Sequence, residues 1–307
     1  MATPRRMQLT EPNEALAQTT TAAAAAARLL DLQPLTNAHE AEALSFLAPS
    51  TVDNIFMAGL IRDNGVESQF NRGTFYAARD ASGQLEGIAL IGHATLVEAR
   101  TNAALAAFAR LAKMNPQAHV IVGRQEKIES FWDYYEQGGQ QPRQICRELL
   151  FEQRDSAPAL APVPELRAAT IEDMPQIVPV NALLAEEESG VNPLEVDAEG
   201  FRARLQRRIE QGRVFVWTRG PRLIFKVDVM AEAEGVIYLE GVFVHPLERG
   251  RGYGSRCLSQ LGRQFLARHG RVCLLVNERN KDAQVFFFKV GYKLTGCYDT
   301  IFLQPEN

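Results

Sequence analysis

The stretch Val242-Phe-Val-His-Pro-Leu-Glu-Arg-Gly-Arg-Gly-Tyr-Gly-Ser255 decides how this chain is read. Its apolar start closes a run of strand-forming residues, and Pro246 stops that run because proline has no N–H to give a ladder. Gly250, Gly252 and Gly254 then alternate with Arg251 and Tyr253, and a helical segment begins at once. Glycine lets backbone come close to a ligand. A helix start offers unpaired N–H groups and the positive end of the helix dipole. Strand, glycine turn and helix start together predict an anion cradle suited to phosphate. From Glu248 to Arg271 there are six arginines (Arg249, Arg251, Arg256, Arg263, Arg268 and Arg271) against one acid. A chain of formal net charge −4 thus gathers positive charge at this turn.

Two common phosphate motifs do not fit. The dinucleotide pattern needs a further glycine where Ser255 or Cys257 stands, and the P-loop needs a lysine that is missing. What fits is Arg-x-x-Gly-x-Gly, filled by Arg249, Gly252 and Gly254. Downstream, Asn280, Ala283, Phe287, Gly291 and Tyr292 follow the order Asn-x-x-Ala, aromatic, Gly-aromatic. With both motifs in place, residues 165–303 resemble the GNAT superfamily of acyl-CoA-dependent N-acyltransferases.

The resemblance implies roles position by position. The backbone of Phe243 and Val244 would pair with the pantetheine arm of acetyl-CoA. The amides of Arg249, Gly250, Arg251, Gly252, Tyr253, Gly254 and Ser255 would hold its pyrophosphate, with Arg249 and Arg251 adding charge. Asn280 would contact the pantetheine or the acetyl end. The run Phe286-Phe287-Phe288 reads mostly as core packing, and Phe287 could shield the thioester as well. The reaction would be direct attack by a neutral primary amine, without an acyl-enzyme and without a metal. Many relatives carry a tyrosine at the position of Phe287, where it protonates the leaving thiolate. Here Tyr292, Tyr298 or solvent is left for that task. Glu240, in Tyr-Leu-Glu-Gly-Val-Phe-Val, is similar to the acceptor-side glutamate of some aminoglycoside-acetylating relatives, and a carboxylate there could bind an ammonium group and take its proton. Glu186, Glu187 and Glu188 could line the mouth and attract a cation. A solvated strand residue and a solvated helix end are the plain alternatives for Glu240 and the triple glutamate.

Outward from the cradle, periodicity predicts an antiparallel meander, one strand–helix–strand crossover and a last hairpin over Tyr292–Leu303. Leu223, Phe225, Val227 and Val229 are expected on one strand face, with Asp228 on the wet one. The proline-rich segment 155–165 reads as a semi-rigid linker. Before it, residues 31–154 repeat the same order of elements more faintly, with one strand expected over Leu85–Val97 and a final strand over Ile145–Phe151. That half has only Glu98-Ala-Arg100 where the cradle should be, so its cofactor site is expected to be absent. The fold class is α/β (α+β): two GNAT-like domains, each a mixed, mostly antiparallel sheet flanked by helices, the catalytic one over 166–307. The degenerate copy would serve acceptor binding, packing or a homodimer.

Composition sets the outer bounds. With 46% hydrophobic and 23% charged residues, the chain is neither disordered nor a charged tail. Nothing in its global charge favours nucleic acid or an anionic membrane. Cys146, Cys257, Cys273 and Cys297 form no C-x-x-C pair, which fits reduced thiols in a cytoplasmic protein. Residues 1–30, with the alanine run Ala22–Ala27, read as a flexible lead-in. The partner expected is a small-molecule or peptide amine. A CoA-binding sensor without turnover, or an interaction module, is the rival reading.

Overall fold

The computed structural model describes residues 29–157 and 159–304, together with Ala26. The lead-in expected before residue 29 lies, apart from Ala26, outside the described residues. The first half of the chain runs β1 (Asp31–Pro34), α1 (Glu40–Leu47), α2 (Ile55–Asn64), β2 (Gly73–Arg79), β3 (Leu85–Gly92), β4 (Ala94–Ala99), α3 (Asn102–Lys113), β5 (Val120–Arg124), α4 (Gln125–Tyr135) and β6 (Pro142–Gln153). The second runs β7 (Arg167–Ala168), α5 (Met174–Ser189), α6 (Pro193–Val196), α7 (Ala198–Glu210), β8 (Val214–Arg219), β9 (Arg222–Ala233), β10 (Val236–Val244), α8 (Tyr253–His269), β11 (Val272–Asn277), α9 (Lys281–Lys289) and β12 (Lys293–Leu303).

Two compact units form, but they do not divide at the proline segment. One holds the described residues through Phe46, then 66–143 and the end from Leu303; the other holds 47–65 and 144–302. Helix α2 and most of β6, written in the first half of the sequence, therefore belong to the second unit. The segment expected to be a spacer is strapped to α8 instead. Arg256 donates to the carbonyls of Ala161 and Pro162, and Gln260 exchanges hydrogen bonds with the backbone of Val163.

The first unit orders its strands β1-β2-β3-β4-β5, antiparallel up to β4 and parallel between β4 and β5. The strand expected over Leu85–Val97 breaks at His93. There the chain passes so close to its neighbour that a Cβ on Gly92 would lie 2.3 Å from the Cα of Gly73.

The second unit orders its strands β7-β8-β9-β10-β11-β6-β12. Strand β6 pairs antiparallel with β11 from Val272↔Gln153 to Asn277↔Glu148. The expected hairpin over Tyr292–Leu303 is consequently one straight strand, β12, because the neighbour it needs is β6 and not a second arm of its own. Under α8, Val227, Val229, Leu239, Leu258, Leu261 and Phe265 share one core. On the other face Ile177, Val178, Leu205, Ile209, Val214 and Val216 pack with α5 and α7. Leu223 joins that second core, whereas Phe225 joins the first. The register slips between Trp217 and Thr218 against Phe225 and Leu223, and one extra residue turns a side chain to the opposite face. Helix α2 covers part of the same sheet: the ring of Phe56 meets Tyr238 edge-on at 4.6 Å, and Arg213 pairs with Asp63.

Candidate active site

Strands β10 and β11 are parallel neighbours for only two pairs, Ile237↔Val272 and Tyr238↔Cys273. Beyond Tyr238 they part. On its other side β10 stays with β9, but Glu240↔Asp228 is followed by Phe243↔Lys226. Gly241 and Val242 thus face Val227 alone, which is a β-bulge, and bulges bend the strand that carries them. The bend and the parting open a slot whose one wall is the backbone from Leu239 to Val244. Phe243 is buried and Val244 half-buried on that wall.

The slot leads to the cradle. Gly252 is the N-cap of α8, with φ 76° and no side-chain cap. Gly250 has φ 75°, and a Cβ added to either would meet nothing within 4 Å. The glycines are there for backbone shape, and the space before them is open. The first amide donating within the helix is that of Arg256, to Gly252. The amides of Gly252, Tyr253, Gly254 and Ser255 precede it, as the free donors of a helix start do. Gly254 has a second reason to be glycine, since a Cβ would lie 2.9 Å from Val244 Cγ2.

Cations surround this turn, though not the six read from the sequence. Arg249 donates through Nε to the Val244 carbonyl at 3.1 Å. Arg251 and Arg222 both reach the buried Glu248, at 2.9 and 3.4 Å. Hydrogen bonds from Arg219 and Arg251 pull the Tyr253 hydroxyl below its ordinary proton affinity. Arg219 also lies over the rings of Trp217 and Tyr253, at 5.1 and 5.6 Å. Arg256 is spent on the strap. Arg219 and Arg222 were not legible as site residues; they reach the turn because they pair across the hairpin at Gly220-Pro221.

Three carboxylates gather at the other end of the slot. Glu240 sits on β10, Glu188 in the last turn of α5, and Glu148 on β6. Burial raises the proton affinity of all three. Glu188, pushed up to about 8, is raised next by Glu240 and Glu148, although much of its side chain stays open to solvent. Glu148 is raised by Glu240 and Asp299 and lowered by a 2.5 Å hydrogen bond from Thr300. In Glu240, burial and Asp228 raise while Arg208 and Lys226 lower. Burying carboxylates together makes each protonate more readily. Of the triple glutamate only Glu188 couples to this group. Glu148 could not be found by reading outward from the motif, because it lies 92 positions before Glu240 and arrives on the strand contributed by the first half.

The expected proton donors are placed elsewhere. Tyr292 is buried, its hydroxyl has no hydrogen-bond partner among the described residues, and burial raises it far above its ordinary range. Its ring packs on Phe287 at 5.6 Å within the core. Tyr298 donates to Asp53 at 3.2 Å. Tyr292 is therefore a core residue. Phe287 is buried against Phe151, Phe286 and Tyr292, so packing is its evident role. Asn280 caps α9, its Oδ1 accepting from the Ala283 amide at 3.0 Å. Asp228, expected on a wet face, is buried, because α5 and α7 cover that face with Asn181 and Arg208.

Comparison with known proteins agrees with this geometry. The sequence profile of the acetyltransferase (GNAT) domain matches residues 210–294. A search of curated proteins by sequence finds no match. Among solved structures, a Drosophila protein superposes with TM-score 0.66 at 12% identity, covering 90% of this chain and 99% of its own. A tandem GNAT protein from the clavulanic acid biosynthesis pathway gives TM-score 0.55 at 14% identity, covering 91% and 100%. A GNAT-family acetyltransferase from Colwellia psychrerythraea gives 0.54 at 10% identity, covering 89% and 100%. Residues 210–294 thus match the acetyltransferase (GNAT) domain, within a chain whose fold is that of solved GNAT structures, a tandem one among them.

Proposed function

We propose that the second unit transfers an acetyl group from acetyl-CoA to a primary amine that arrives as a cation. The observation that carries this reading is the slot between β10 and β11, with unpaired helix-start amides at one end and three coupled carboxylates at the other. The donor supplies an activated acetyl thioester. The residues present fit it: the turn 249–255 offers amides, open space and guanidinium groups for a diphosphate. The backbone of Phe243 and Val244 offers hydrogen-bonding groups to an extended arm.

At the far end Glu240, Glu188 and Glu148 attract and hold an ammonium group. The amine must be neutral to attack. Glu240, raised in proton affinity by burial, is suited to take that proton near neutral pH. A C–N bond then forms as the C–S bond breaks, the electron pair leaves on sulfur, and the nitrogen sheds its surplus proton to solvent to give the neutral amide. With Phe287 and Tyr292 in the core, the departing thiolate takes its proton from solvent, which its modest basicity permits. The first unit, lacking the cradle, is read as support without donor binding.

The test is thiol release from acetyl-CoA with spermidine, putrescine and neutral or acidic amines as acceptors. Turnover with the cationic amines supports the reading. Binding of acetyl-CoA without turnover on any amine would favour the sensor reading instead.

A further inference from the structure

Lys226 is fully enclosed, at 0% exposure, on the strand beside the slot. Its Nζ lies 2.9 Å from Asp228 Oδ1 and donates to the Gly241 carbonyl at 3.1 Å. Asp228 is held in turn through Oδ2, by Asn181 Nδ2 at 3.1 Å and Arg208 Nη1 at 3.3 Å. Enclosing an ammonium and a carboxylate is expensive, and an apolar pair of similar volume would commonly stabilise a core as well or better. The arrangement therefore asks for a purpose other than stability.

The purpose lies in what the ammonium touches. Gly241 is the first residue of the β10 bulge, with φ 60°. A Cβ there would come within 2.7 Å of Lys226 Nζ, so the glycine and the lysine are fitted to one another. No described peptide bond is cis, and in a trans peptide the C=O and the N–H point in opposite directions. Fixing the Gly241 carbonyl therefore fixes the Val242 N–H, aimed away from Lys226 and Asp228. A cation on the carbonyl oxygen also polarises that peptide and strengthens its N–H as a donor.

We propose that Lys226 is a positioning residue for acyl transfer: by gripping the Gly241 carbonyl it presents the Val242 amide to the thioester oxygen. The inference rests on the acyl-transfer reading above and adds to it the device that holds the bulge in shape. Lys226 touches neither reactant, and its effect passes through one peptide group.

The test compares wild type with Lys226→Met and with the double variant Lys226→Met/Asp228→Asn, which removes both charges together. Calorimetry would measure the affinities for acetyl-CoA and for free CoA, which differ only by the acetyl group. In wild type acetyl-CoA should bind the more tightly. In either variant that advantage should shrink by about fivefold, the size of one lost hydrogen bond, with CoA affinity unchanged. With spermidine as acceptor, kcat should fall about 10- to 100-fold with little change in KM for acetyl-CoA, as when an oxyanion donor is disturbed. A folded variant that keeps both the advantage and kcat within twofold of wild type would overturn the proposal. Wild-type protein that binds neither nucleotide would instead defeat the acyl-transfer reading, and this inference with it.

Discussion

The helices that follow the fourth strand of each unit begin differently, one closed by a side-chain cap and the other left open at a glycine. In the first unit Thr101 caps α3, its hydroxyl accepting from the Ala104 amide at 3.3 Å. Glu98 is paired with Lys127, and Arg100 donates to the Leu85 carbonyl while lying 4.7 Å over the Phe46 ring. In the second unit Gly252 caps α8 with no side chain, and the arginines nearby reach a buried acid and each other's aromatic neighbours. Both units keep the two-pair parallel contact that lets strands part, Ala94↔Val120 and Thr95↔Ile121 in the first. Only the second has the bulge, since β3 and β4 pair without interruption from Gly87↔Ala99 to Leu90↔Leu96. Parting of strands is thus a property of the fold. Donor binding needs free amides and a bent wall as well.

Several substitutions would break this contrast or sharpen it. Removing the proposed acceptor-side base should have the largest effect: Glu240→Gln is expected to lower kcat/KM for a cationic amine by about 10²-fold or more, measured by thiol release, with acetyl-CoA affinity preserved. Gly252→Glu would place a negative charge at the open start of α8. It should weaken acetyl-CoA binding at least about 100-fold by calorimetry, because it combines an unfavourable left-handed residue with like-charge repulsion, while circular dichroism stays unchanged. Arg219→Ala should cost about five- to tenfold in the same titration, a loss that shrinks at high salt.

The acidic cluster predicts a pH effect with a definite sign. Glu188, Glu240 and Glu148 hold protons more tightly when folded than when unfolded. Their stabilising contribution is complete below the ordinary carboxylate range and is lost as pH rises toward about 8, the value for Glu188. Glu188→Gln should therefore melt above wild type at pH 8 and no higher than wild type at pH 5, while binding spermidine more weakly. The smallest effect is the control. Thr101→Ala should cost about 1 kcal/mol of stability, as loss of an N-cap does, and leave acetyl-CoA affinity untouched.

What could be read from the sequence was local. The Gly/Arg turn, the strand before it and the helix after it are contiguous over residues 236–269, and their alternations and breakers announce them. The non-local features were hidden. The strand holding Glu148 carries no local sign of which sheet it joins, so the sequence alone places it with the half in which it is written. Nothing local in the final strand reveals that β6 lies beside it, so its sequence reads as a hairpin. Lys226 and Asp228 sit at alternate positions among apolar neighbours, a pattern that normally marks a solvated face. Only the covering helices α5 and α7 turn it into a buried pair. Phe287 packs on Phe151 as its apolar run implies, whereas Tyr292, which motif position offers as a proton donor, is drawn into the same core.

The most direct test of the account is a calorimetric titration of acetyl-CoA into wild type and Gly252→Glu. The account predicts one site per chain in wild type and none of measurable affinity in the variant. Two sites per chain, or a single site that survives the substitution, would place the donor outside the turn at 249–255 and contradict it.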